Sequence, residues 1–103
     1  MVRMTRSVAE AELGDVPEEK RFWCQDGRYL KNLEELKPAL EHMTEETFRY
    51  HSNEIKTDFS NWVKDVIGDE KLARDLLKCT TAAQAAKSVA ERLEWLNSRA
   101  ISA

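Results

Sequence analysis

The densest run of polar and aromatic side chains reads Phe48-Arg49-Tyr50-His51-Ser52-Asn53-Glu54-Ile55-Lys56-Thr57-Asp58-Phe59-Ser60-Asn61-Trp62. It holds one histidine and one aspartate, His51 and Asp58, across a junction between two expected helices. A His–carboxylate pair can move a proton on a bound ligand. With Tyr50 and Asp65 it would make a small-ligand or hydrolytic site. The same pair also serves as a hydrogen-bonded strut that fixes the junction, because a buried polar group needs a partner in any fold. The strut is the preferred reading. Neither Ser52 nor Ser60 stands in a nucleophile elbow, so the pair has no activated nucleophile to serve. No residue is assigned a catalytic role, and a non-enzymatic chain is preferred to an enzyme.

Metal and cofactor chemistry find less support. Cys24, His42, His51 and Cys79 are all able ligands, but they are scattered, without CxxC or HxxxH spacing. No metal site is expected. There is no phosphate loop and no dinucleotide fingerprint, so no cofactor is expected either. Two cysteines in a chain able to build its own core do not read as a disulfide framework. Both are expected to be reduced and at least partly buried.

The aromatic residues Phe22, Trp23, Phe48, Tyr50, Phe59 and Trp62 can form a stacking platform or a peptide groove. They can also simply fill a small core. Phe59 and Trp62 go to the core, since they lie on the longest apolar stripe. Trp23 alternates with Phe22 and Cys24 on an expected strand, so it points the other way. It is either packed by the N-terminal segment or open to a partner. Trp95 falls off the apolar stripe of the last helix and is the other candidate for an interaction surface.

The elements that must position these groups are mostly helical. The chain has 103 residues, 42% hydrophobic and 34% charged, with a net charge of −3. That suits one folded domain with a modest core. A mildly acidic chain makes a poor non-specific nucleic-acid coat. No apolar run is long enough to span a membrane, and no secretory signal follows Arg3 and Arg6, so a cytoplasmic location is expected.

Residues 1–20 read as a flexible or short-helix leader. Ser7 and Glu10 have capping-box spacing, and Gly14 would stop a helix over Val8 to Leu13. Residues 21–103 read as a single helical domain. Its first element is a short β-hairpin turning at Asp26-Gly27, a pair suited to positive φ at both central positions.

About five helices follow. Asn32 with Glu35 caps the first, in which Pro38 can kink or shorten the run. Thr44 starts the next. Phe59, Trp62, Val63, Val66 and Ile67 make one stripe, begun at Thr57 or Asp58 and ended by a left-handed Gly68. Asp69 caps a fourth helix. Thr81 and Gln84 cap a last one, rich in small residues (Ala82, Ala83, Ala85, Ala86 and Ala90).

The pattern Phe22-Trp23-Cys24, Asp26-Gly27-Arg28, Leu33-Glu34-Glu35-Leu36, Phe48-x-Tyr50-His51 and Lys56-x-Asp58-Phe59-x-Asn61-Trp62-Val63-x-Asp65-Val66-x-Gly68-Asp69-x-x-Leu72-Ala73 resembles an uncharacterised family of small prokaryotic domains of unknown function. It covers about residues 21–77. An Asn often stands in that family where Thr57 is here, and an apolar residue where Ser52 is. The resemblance implies a shared fold unit and an accessory or interaction role, and it transfers no catalytic residue.

Three functions remain in order of preference. The first is a non-enzymatic binding or regulatory module that docks on another macromolecule, a protein above all, with self-association through the last helix as one form of it. The second is a small-ligand or hydrolytic site at Tyr50, His51, Asp58 and Asp65. The third is a nucleic-acid-binding domain.

Overall fold

The structure, a computed structural model, describes residues 5–101. It is mostly helical, with six α-helices and one two-stranded antiparallel hairpin among those residues.

The first helix, α1 (Arg6–Leu13), starts two residues earlier than its sequence signal. Thr5 is the cap, accepting from the Val8 amide at 3.2 Å, and Ser7 lies inside the helix. Gly14 ends α1 with extended backbone, φ −74°. A segment with little apolar surface of its own nonetheless lies against the last helix, with Ala9 fully buried. The end of the expected leader, residues 17–20, contains a single 3-10 turn over Glu18–Lys20.

The hairpin pairs β1 (Phe22–Trp23) with β2 (Tyr29–Leu30), Phe22 opposite Leu30 and Trp23 opposite Tyr29. Phe22 and Leu30 face the core, and Trp23 and Tyr29 face out. The turn differs from the two-residue type. Gly27 alone has positive φ (98°), and the Cys24 amide donates to the Arg28 carbonyl at 2.8 Å. The loop is therefore three residues long, Gln25 to Gly27, with glycine at the left-handed position such loops require.

Helix α2 (Leu33–His42) is capped by Asn32, which accepts from the Glu35 amide at 2.9 Å. Glu35 completes the box one residue out, accepting from the Lys31 amide. Pro38 lies within α2, and the helix runs on to His42. Helix α3 (Glu45–His51) is capped by Thr44.

Helix α4 (Asp58–Trp62) continues as a π-helical turn over Val63–Ile67, closed by Gly68 at φ 89°. The wide turn carries the Gly68 amide to the Val63 carbonyl at 2.8 Å. It also rotates the second half of the stripe. Phe59, Trp62, Val63 and Ile67 are buried, but Val66 is only half-buried. A π turn inserts one residue into the helical repeat, which a strict 3.6-residue reading cannot anticipate.

Asp69 caps α5 (Glu70–Leu77), and Thr81 precedes α6 (Ala82–Ile101). Thr81 accepts from the Gln84 amide, while Gln84 reaches back to the Thr80 amide. Helix α6 packs on α1, α2 and α5 and closes the core around Leu33, Leu36, Leu72, Val89 and Leu96. Ala82, Ala85 and Ala86 are buried there, which places most of the small side chains inside the chain's own helix packing; Ala83 is exposed. No described helix is long and apolar enough to cross a membrane.

Candidate functional site

His51 is the last residue of α3 and is only 2% exposed. Its Nδ1 lies 3.0 Å from Asp58 Oδ2, on the first residue of α4. Its Nε2 accepts from the Gln25 amide in the hairpin loop at 2.9 Å. A backbone N–H can only donate, so Nε2 must carry the lone pair. Nδ1 must then carry the hydrogen and donate to Asp58. Three separate elements, the hairpin, α3 and α4, thus meet on one neutral imidazole. The ring is packed by Phe22, Phe59, Tyr50 and Trp23, with centroids 5.1, 5.4, 4.9 and 6.0 Å away.

The loop between α3 and α4 is closed by its own hydrogen bonds. Asn53 Oδ1 accepts from the Ile55 and Lys56 amides, and its Nδ2 donates to the Arg49 carbonyl. Ser52 and Thr57 form an isolated antiparallel bridge. Lys56 is thereby set 3.3 Å from Asp58 Oδ2 and 4.1 Å from the centre of the Tyr50 ring. Asp58 is engaged by His51 and Lys56, which explains why it does not cap its own helix.

Of the four residues expected at a ligand site, the fold brings Tyr50, His51 and Asp58 together. Asp65 is exposed on the π turn and makes no hydrogen bond to the other three among the described residues. The lone pair that a general base would use is already taken by the Gln25 amide. Sequence reasoning did not find that partner, because a backbone amide leaves no mark in the residue types.

Above the imidazole lies an open aromatic surface. Trp23 is 46% exposed, Tyr29 65% and Tyr50 42%. Trp23 and Tyr29 are directly opposite across the hairpin, and the Tyr50 ring meets Trp23 edge-on at 6.4 Å. Among the described residues, the N-terminal segment docks on α6 and leaves Trp23 exposed. Trp95 is different: it is half-buried against the core, with the guanidinium groups of Arg92 and Arg99 over its ring at 4.4 and 4.9 Å.

The candidate metal ligands stay apart. No group of three or more His, Cys, Asp or Glu side chains converges on a metal-sized site among the described residues. Both cysteines are free thiols. Burial pushes the Cys24 thiol up from its ordinary range. Cys79 is half-buried, donates to the Asp75 carbonyl at 3.4 Å, and lines a cleft of about 700 Å³. That cleft has Phe48, Phe59 and Leu76 on its floor and the exposed Ile55 and Leu77 at its rim.

A second polar cluster, also unannounced by the sequence, joins α1, α5 and α6. Arg92 holds both oxygens of Asp69, at 2.6 and 3.1 Å, and Asp69 is also the cap of α5. Glu12 of α1 is buried beside them. No family model, no curated protein and no solved structure matches the chain.

Proposed function

We propose that this chain is a non-enzymatic docking module, that its partner is a protein, and that the partner seats on the face formed by Trp23, Tyr29 and Tyr50. The observation that carries the reading is the exposure of three neighbouring aromatic rings on a rigid support. Tryptophan and tyrosine contribute large contact area at little entropic cost, and they dominate the energetics of protein interfaces. The His51 strut belongs to the same reading. It pins the hairpin to the α3–α4 junction, so the rings are presented in one geometry and lose little freedom on binding.

Two features favour a protein over the alternatives. Each of the cations Lys56, Arg28 and Lys31 is paired with a carboxylate, Asp58, Asp26 and Asp15 respectively. With a net charge of −3 as well, the chain as a whole has no surplus of cations for phosphates. His51 has no free lone pair with which to serve a hydrolytic site. Trp23, Tyr50, His51 and Asp58, which contribute to the strut and the face, are among the residues behind the family resemblance.

The test is a paired capture from the source cells, with wild type and the double variant Trp23→Ala, Tyr29→Ala as baits. Wild type is expected to retain a protein through high salt, and the variant to lose it while keeping a wild-type helical spectrum. Equal retention by both baits, or retention by wild type at low salt only, contradicts the proposal.

A further inference from the structure

Charge does not balance where α1 meets α5 and α6. Two carboxylates, Glu12 and Asp69, are 6% and 2% exposed, and a single cation, Arg92, stands beside them. Both guanidinium contacts go to Asp69, which also accepts from the Leu72 amide. Glu12 Oε1 is buried with no hydrogen-bond partner among the described residues. No charged group of α2, the other helix beside α1, acts on Glu12. An ionised Glu12 would be an unpaired charge next to another of the same sign, which a dry interface does not tolerate. A protonated Glu12 is neutral and can donate to Asp69.

The rest of α1 is weakly tied. Among the described residues its side chains make no other hydrogen bond that crosses to another element, since Arg6 pairs with Glu10 within the helix. The chain just beyond is firmly held. The Val16 amide donates to the Lys31 carbonyl at 2.8 Å, and Asn32 donates to Asp15 Oδ1 at 2.8 Å. Gly14 lies between the two regimes.

We infer that α1 is a proton-operated latch: the neutral Glu12 lets it dock on α6, and loss of that proton releases it at Gly14 and uncovers the apolar surface beneath. Burial first, and then the neighbouring Asp69, push the Glu12 carboxyl from 4.5 up to about 8. A group raised on docking favours the docked state fully below its free value and loses that contribution as pH rises through the docked value. Docking therefore weakens about tenfold per pH unit between those limits. Asp69 stays ionised in this window. Burial opposes its charge, but Arg92, Glu12 and the Leu72 amide together hold it below the ordinary carboxylate range.

Amide-exchange protection measured at about pH 5.5 and about pH 7.5 tests the latch. Protection of the Ala9 to Leu13 amides is expected to fall by up to about a hundredfold over those two units, while Val63 and Val89 hold theirs. Glu12→Gln, a permanent mimic of the neutral acid, should abolish the difference. Protection of α1 equal to that of the core at both pH values would overturn the inference, because the helix would then open only with the whole fold. So would a pH-dependent loss that persists in Glu12→Gln. Should that variant fold poorly, a carbon-13 titration of the wild-type Glu12 carboxyl decides the matter: a midpoint among the exposed glutamates rules the latch out.

Discussion

Imidazole has two nitrogens, and the partner of one sets the state of the other. In His51 the Gln25 amide occupies Nε2, so the hydrogen must sit on Nδ1 and point at Asp58. Long-range proton–nitrogen correlation should find a neutral ring protonated at Nδ1, and a ring protonated at Nε2 would break the strut. Removing the ring leaves the Gln25 amide and Asp58 without their contacts in a buried place. His51→Ala is therefore expected to cost about 1–3 kcal/mol in denaturant melts. An unchanged melt would mean that His51 carries no structural load. Half of this network was legible beforehand. A histidine and an aspartate flanking a helix junction are visible as residue types, whereas the third member is a main-chain donor supplied by a turn. Glu12 illustrates the opposite difficulty. A glutamate in a short polar helix reads as solvated, and only the packing of α1 against Asp69 and Arg92 makes it unusual.

Capping chemistry and apolar period placed most elements. Asn32, Thr44, Asp69 and Thr81 each accept from the amide three residues on, as their types and positions anticipate. The misses are local and have causes. The hairpin turn takes three residues because Asp26 avoids the positive φ that Gly27 accepts. The cap of α1 lies at Thr5 because two hydroxyl residues two apart offer alternative starts, and the Val8 amide pairs with the earlier one. The π turn escaped because nothing in Val63-Lys64-Asp65-Val66-Ile67 departs from an ordinary helical pattern. Trp62 stands just before it, 7% exposed, and donates from its indole to the Lys20 carbonyl at 2.8 Å. It joins α4 to the chain that leads into the hairpin. Trp62→Ala should lose about 3–5 kcal/mol, a large share of what a small domain has. Circular dichroism is expected to show a largely unfolded chain, and a cooperative melt near wild type would place Trp62 outside the core.

At the scale of the molecule, the structure has a well-tied half and a lightly tied edge. The hairpin, α3 and α4 are locked together through His51, and they present Trp23, Tyr29 and Tyr50 outward. The edge is α1, held to α6 by Ala9, a few half-buried side chains and one neutral carboxyl. The helical class and the hairpin could be read from the sequence. Which aromatic residues lie open could be read only in part. Strand alternation pointed Trp23 away from Phe22, but whether the N-terminal segment covered it depended on where α1 docks. Trp95, off its stripe by the same reasoning, is instead half-covered by Arg92 and Arg99, because long cationic side chains one turn away fold over an aromatic ring. The central claim, that a protein seats on the Trp23 face, is tested most directly by site-specific photocrosslinking. A benzophenone side chain is placed at Tyr29 in one sample and at the exposed Lys87 of α6 in another, and each is irradiated in the source cells. The account predicts one discrete crosslinked protein from position 29 and none of that mass from position 87. No adduct at position 29, or the same adduct from both positions, would contradict it.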